Sequence, residues 1–209
     1  KAELIELAKA LEGTNIIVLS DEMYEKLRYD GLEFTAFASL SEDALRRTVT
    51  INGLSKCGAM PGWRFGYMAS KNAELNAAVK RLQGQSTGNI ATIVQHAAIA
   101  ALRGETDADI AYMQGEFQKR RDKACEMISK IQGLSVYKPQ GAFYLFVNIK
   151  AVEPNSMVFC QRLLQAEKVA VVPGVGFGMD GYFRLSYATS LENIVAGIER
   201  IEKFVRNYK

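Results

Sequence analysis

Apolar positions recur with two different periods along this chain, and the change of period organises it. Leu4, Leu7, Ala8 and Leu11 fall on one helical face, and Gly13 stops that helix. Four apolar residues follow in "NIIVLSDEMYEKL" and end in an acidic pair. This run predicts a buried strand with Asp21 and Tyr24 at its carboxyl end. "YDG" at 29–31 is a turn signal, "RTVTI" at 47–51 reads as a second strand and "FGYMA" at 65–69 as a third. To this point the texture is α/β, with short strands and loops at their carboxyl ends.

From residue 73 the period becomes 3.6. Leu75, Val79 and Leu82 share a face, and Ile90, Ile93, Val94, Ala97, Ala98, Ala101 and Leu102 form a wider stripe. "QGQSTGN" at 83–89 separates them, which predicts two helices joined by a polar loop. A third helix is predicted over about 107–132, turning Ile110, Met113, Phe117, Ala124, Ile128 and Ile131 inward. Beyond Gly133, "LSVYKPQGAFYLFVNI" reads as two strands around a Pro-Gln-Gly turn. "SMVFCQRLLQAEK" reads as a helix, "VAVVPG" and "YFRLSYA" as strands, and Leu191–Tyr208 as a closing helix capped by Ser190. Residues 1–106 thus belong to an α/β region, and those from about 107 to 209 bridge into a smaller α+β domain. No repeat or low-complexity segment is present.

Composition changes this picture little. With 209 residues the chain fits one large or two small domains, and 48% hydrophobic and 23% charged residues describe a soluble globular protein. A net charge of +3, evenly spread, argues against nucleic acid or an acidic membrane surface as partner. No stretch approaches the roughly 20 apolar residues of a membrane helix. Residues 1–11 read as an amphipathic helix rather than a leader, so no signal peptide is expected. Three separated cysteines fit no closed disulfide framework, and one histidine leaves nothing with metal-site spacing. A cytoplasmic, reducing compartment is the default.

Taken singly, the polar candidates have ordinary readings. Asp21 and Glu22 are a solvated strand end, Lys56 a surface lysine, and Arg64 a cation stacked on Trp63. Cys57 reads as a small packing residue and His96 as a core or boundary histidine. Arg184, inside "YFRLSYA", needs a partner if it points inward, and a structural ion pair and a ligand site are equally open.

Together they form an ordered series. "SDEMYEKLRYDG", "INGLSKCGAMPGWRFGY", "LQGQSTGNIATIVQHAAIAAL", "KPQGAFYLFVNI", "VVPGVGFG" and "FRLSYA" cover nearly the whole chain. In this order and spacing they resemble the class I, fold-type I aminotransferases that use pyridoxal 5′-phosphate. The "QSTGN" and "GAFYLF" stretches are most similar to bacterial-type aspartate aminotransferases. The resemblance implies part of a large cofactor-binding α/β domain, with a mostly parallel and incomplete sheet, followed by a small α+β domain. It implies a transaminase acting on an amino acid (aspartate or similar) and a 2-oxo acid. A lyase or synthase of the same fold and a non-catalytic interaction module are the alternatives.

By the same resemblance Lys56 is the Schiff-base lysine and proton shuttle, Asp21 the partner of the cofactor's ring nitrogen, and Tyr24 a hydrogen-bond donor to its ring oxygen. Ser55 and Arg64 match phosphate contacts, with Gly62 and Gly66 letting backbone come close, and Arg184 matches the guanidinium that grips the substrate α-carboxylate. Gly53 departs from the pattern, since many relatives carry a hydroxyl there. Family members run to about twice this length, so the chain reads as a carboxyl-terminal half of a homodimeric enzyme. Alone, it is expected to be inactive.

Overall fold

Helix α1, Ala2–Leu11, ends where Gly13 takes a positive φ of 72°, and it buries none of its residues. Strand β1 (Val18–Asp21) lies beside β2 (Thr48–Gly53) in parallel, with Val18 opposite Thr48 and Asp21 opposite Ile51. β2 then pairs antiparallel with β3, Gly66–Ser70, from Val49 opposite Ser70 to Gly53 opposite Gly66. The three-stranded sheet therefore has one parallel and one antiparallel pairing, where a mostly parallel sheet was expected. The physical reason is the link: Leu54–Phe65 folds back as a loop and supplies no crossover helix. β1 also differs from expectation, because it is an edge strand with Leu19 at 69% exposure and Ile16 and Ile17 exposed before it. Nothing among the described residues, which run from 1 to 208, covers that face.

A short helix that the hydrophobic pattern did not announce, α2 (Glu42–Arg47), leads into β2. Ser41 caps it by accepting the Ala44 N–H at 3.1 Å, and Arg47 pairs with Asp43 at 2.7 Å. After β3 come α3 (Ala73–Ser86) and α4 (Thr92–Leu102). Gln83–Ser86, expected in a loop, are helical; the helix ends instead at the left-handed Gly88, whose N–H returns to the Gln83 carbonyl at 2.9 Å. His96 and Ile93 are exposed, because α4 turns only Ala98 and Ala101 fully inward. No helix among the described residues is long and apolar enough to cross a membrane.

This computed structural model divides into two compact units, Lys1–Tyr112 and a second beginning at Met113; the division falls within α5, Asp107–Ile128. The second unit carries a four-stranded antiparallel sheet in the order β4 (Ser135–Val136), β5 (Tyr144–Asn148), β7 (Tyr182–Ser186), β6 (Val172–Pro173). Alternation sorts its faces. Leu145, Val147, Phe183 and Leu185 point into a core with Phe159, Cys160 and Leu163 of α6 (Ser156–Glu167). Ile194, Ile198, Ile201 and Phe204 of α7 (Leu191–Arg206) complete it, with the Phe159 ring stacked on Phe183 at 5.6 Å. Tyr144, Phe146, Tyr182 and Arg184 occupy the other face, half-buried. Only two residues of "VAVVPG" form β6, and the Pro-Gln-Gly turn is the longer segment 137–143.

Candidate active site

The parallel pairing sends β1 and β2 out at the same end of the sheet, where their carboxyl-terminal loops carry polar residues. Asp21 is exposed there and accepts the Met23 N–H at 3.1 Å. The Glu22 N–H donates to the Ile51 carbonyl at 2.8 Å, which keeps the departing chain on β2. It then turns through half-buried Tyr24, whose carbonyl accepts the Leu27 N–H at 2.9 Å, and is anchored by the fully buried Leu27 and Tyr29.

The loop after β2 is closed by its own backbone. Leu54 N–H donates to Phe65 O at 3.4 Å, Met60 N–H to Leu54 O at 3.1 Å, and Ala59 N–H to Lys56 O at 3.1 Å. Leu54, Met60 and Phe65 pack on Ala98 and Ala101 of α4, small residues that let the loop sit close to the helix. Ser55 and Lys56 are half-buried at its base, and Arg64 is exposed with its guanidinium donating to Pro61 O at 2.8 Å. Ala59 and Arg64 both take left-handed backbone, at φ 51° and 55°, a strained choice for residues with a Cβ.

Cys57 joins the two loops. Its buried thiol donates to the Met23 carbonyl at 3.1 Å and accepts the Lys26 N–H at 3.3 Å, so the turn bearing Tyr24 is fastened to the segment bearing Lys56. Burial pushes this thiol above its ordinary pKa, which suits a packing and hydrogen-bonding role rather than a thiolate. A cavity of about 720 Å³ opens beside these loops, with Ser55, Arg64, Asn52, Tyr67, Gln83 and Asn89 among its walls. Asp21, Tyr24 and Lys56 are not wall residues, although their chain neighbours Met23 and Ser55 are. Burial, then Glu25 and Glu22, push the Tyr67 hydroxyl above its ordinary value.

The glycines behave differently from expectation. A Cβ on Gly62 would meet nothing, and one on Gly66 only Asn52 O at 3.4 Å, so the protein's own packing requires neither. The close approach is at Gly53, where a Cβ would lie 2.6 Å from the Phe65 carbonyl oxygen and 3.0 Å from Gly66 Cα. A hydroxyl-bearing side chain has no room there.

Arg184 lies in the second unit, on β7 between Phe146 of β5 and Val172 of β6. Its guanidinium carbon sits 4.5 Å from the Tyr144 ring centroid and 4.6 Å from that of Phe177. Among the described residues no carboxylate or carbonyl takes a hydrogen bond from it, so the structural ion pair is not made. The rings around Arg184 were not singled out in the sequence, although "GAFYLF" and "VVPGVGFG" contain them.

A family model described as aminotransferase class I and II matches residues 1–201. The chain belongs to this family. It is 42% identical over 211 residues to an aspartate aminotransferase of Bacillus sp. (strain YM-2), covering 99% of this chain and 53% of that relative. A probable aspartate/prephenate aminotransferase of Rickettsia typhi is 42% identical over 96% of this chain and 53% of its own length. Among solved structures, the aromatic aminotransferase of Pyrococcus horikoshii superposes with a TM-score of 0.93 at 36% identity, over 99% of this chain and 55% of that one. The aspartate aminotransferase of Thermotoga maritima gives 0.88 at 38% identity, over 99% and 52%. The chain thus spans about half the length of the curated relatives it matches.

Proposed function

We propose that the protein carrying this chain is a transaminase that moves an amino group between an amino acid, aspartate or a close relative, and a 2-oxo acid, with pyridoxal 5′-phosphate as cofactor. The observation that supports the reading best is that Asp21 ends β1 and Tyr24 lies in the turn after it, while Ser55, Lys56 and Arg64 lie in the β2–β3 loop, and both loops leave the same end of one sheet. The names of the Bacillus and Rickettsia relatives support aspartate as the donor. The homodimer and the cytoplasm follow from family resemblance, and three buried free cysteines agree with a reducing compartment.

The residues present fit the cofactor. Ser55 and Arg64 share one cavity wall, a hydroxyl and a guanidinium suited to a phosphate, and the cavity volume lies in the range of small-molecule sites. Pyridoxal phosphate, when bound, supplies an electron sink for charge developing at the substrate α-carbon. Asp21 would keep a proton on the ring nitrogen, since a neighbouring carboxylate favours the cationic form. The Tyr24 hydroxyl would donate to the ring oxygen. The Lys56 amine would hold the cofactor, then take and return the proton at the substrate α-carbon. Arg184 would bind the α-carboxylate through its planar N–H edge.

Borohydride reduction of the full-length enzyme with cofactor tests the reading. A pyridoxyl group is expected on the peptide containing Lys56 and lost in Lys56→Ala. An adduct mainly on Lys71 or Lys80 would overturn the assignment.

A further inference from the structure

Arg184 is half-buried, and its guanidinium lies over the rings of Tyr144 and Phe177. A cation over a ring face within about 6 Å is attracted by the ring quadrupole. Rings pack against the flat faces of a guanidinium and leave its N–H edges open, the geometry that a carboxylate accepts in a bidentate pair.

Neither ring is there by accident of core packing. Phe177 is 49% exposed, a placement that burial of apolar surface does not explain. It ends a tight turn, Gly174–Phe177, closed by Gly178 N–H to Val175 O and Met179 N–H to Gly174 O, both at 3.0 Å. That turn tolerates no side chain at Gly174, where a Cβ would fall 2.3 Å from Met179 O and 2.6 Å from Tyr182 O. The fully buried Ser156 holds it from below: its hydroxyl accepts the Val175 N–H at 3.2 Å and donates to Asp180. Asp180 also accepts the Ser156 N–H at 2.7 Å and the Gly181 N–H at 3.0 Å. Phe146 then meets the Phe177 ring edge-on at 6.1 Å while stacking on Tyr182 at 5.1 Å.

Tyr144 is fixed by a separate set of bonds. It pairs with Ser186 across β5 and β7, which makes Arg184 its diagonal neighbour, within reach of an aromatic ring. The chain before it is tied down by Tyr187, whose hydroxyl donates to Ala142 O at 3.1 Å and whose N–H donates to Phe143 O at 2.9 Å. Arg121, with no exposed surface, adds a bond to Pro139 O at 2.9 Å.

We propose that Tyr144 and Phe177 are positioning residues, an aromatic clamp that fixes the plane of the Arg184 guanidinium and leaves its N–H edge to the substrate carboxylate. The proposal rests on the reading of Arg184 given above. A guanidinium fixed beforehand loses less side-chain freedom on binding, so the clamp acts on carboxylate affinity and not on the chemical step.

The test has two readouts. In the full-length enzyme, Phe177→Leu and Tyr144→Leu are each expected to raise KM for both amino acid and 2-oxo acid about five- to tenfold, with kcat changed less than about twofold. Phe177→Tyr and Tyr144→Phe, which keep a ring, should restore KM. In the same full-length enzyme, the nitrogen-15 NMR signal of the Arg184 side chain, assigned by its loss in Arg184→Lys, should stand apart from those of exposed arginines. It should collapse toward them in the leucine variants alone. If Arg184→Lys raises KM while the leucine variants do not, the clamp is wrong and the Arg184 role stands. If Arg184→Lys leaves KM unchanged, the Arg184 role falls, and the NMR signal alone decides whether the rings fix the side chain: a signal unmoved by the leucine variants overturns the clamp.

Discussion

Gly53 and Gly66 face each other at the last rung of the β2–β3 ladder, and the structure predicts opposite outcomes for the same substitution at each. Gly53→Ala places a methyl 2.6 Å from the Phe65 carbonyl oxygen, and both nearest obstacles are backbone, so no side chain can swing away. One limb of the loop must retreat by roughly 0.8 Å to reach ordinary contact, and overpacking of this kind costs about 1–3 kcal/mol. The retreat also breaks the Leu54 N–H to Phe65 O bond, already long at 3.4 Å, for about another 1 kcal/mol. The gain from a stiffer unfolded chain offsets about 0.5 kcal/mol. The net is about 1.5–3.5 kcal/mol. With a urea slope of about 2 kcal/mol/M, the midpoint should fall by about 1 M. Trp63, the single tryptophan of the chain, sits in the same loop, so its fluorescence follows this transition directly. Gly53→Ser should behave the same way, since its Cβ meets the same backbone atoms. Gly66→Ala should leave the midpoint unchanged. A Gly53→Ala midpoint equal to the native one, or equal damage from Gly66→Ala, would refute the reasoning.

Two further outcomes are expected. Asp21→Asn keeps an oxygen for the Met23 N–H but removes the charge, so kcat should fall at least about a hundredfold with the fold intact; near-normal turnover would reduce Asp21 to a solvated strand-end residue, while Glu22 beside it is buried. The Ser156 hydroxyl, then the Ser156 and Gly181 N–H groups, hold the Asp180 carboxyl below its ordinary value. A depressed folded-state pKa contributes stability that is present above the ordinary value of about 3.9 and is lost as pH falls through the folded one. The second unit should therefore weaken on acidification in that window. Asp180→Asn should flatten the dependence in acid titrations followed by near-ultraviolet circular dichroism, and an unchanged slope would place the acid sensitivity elsewhere.

Much of the fold was legible because its signals are local. "YLFVN" and "YFRLS" were legible as strands, and Ser190, whose side chain accepts the Asn193 N–H at 3.2 Å, marked the start of α7. Helix α2 was missed because six residues are too few to show a period, and its evidence is electrostatic: a Ser41 cap, Glu42 and Asp43 first, Arg46 and Arg47 last. The hydrophobic pattern alone reads β1 as a buried strand, because apolar content reports what a strand prefers to bury and not whether a neighbour is present; the incomplete sheet implied by the family blocks agrees with its exposed edge. In the candidate site, Asp21, Tyr24, Ser55, Lys56 and Arg64 were named through family blocks. The contacts that organise them were not. Cys57 reaches Lys26 and Met23 across separations of 31 and 34 residues, and the clash at Gly53 exists only once β3 folds back.

These contacts explain why the chemistry divides as it does. In the first unit, the left-handed Ala59 and Arg64 cost free energy that the loop recovers through three backbone bonds, the Cys57 clasp and packing on Ala98 and Ala101. These contacts fix the loop from several sides, and its Ser55 and Arg64 share a cavity. In the second unit, the Arg184 guanidinium carbon sits 4.5 and 4.6 Å from two ring centroids, and among the described residues no carboxylate pairs with it. Each unit thus holds its polar residues by its own contacts: the first sets Ser55 and Arg64 in one cavity wall, the second sets Arg184 beside two rings. A cation within about 6 Å of two ring centroids is attracted by their quadrupoles, which offsets part of the hydration that Arg184 loses on half-burial.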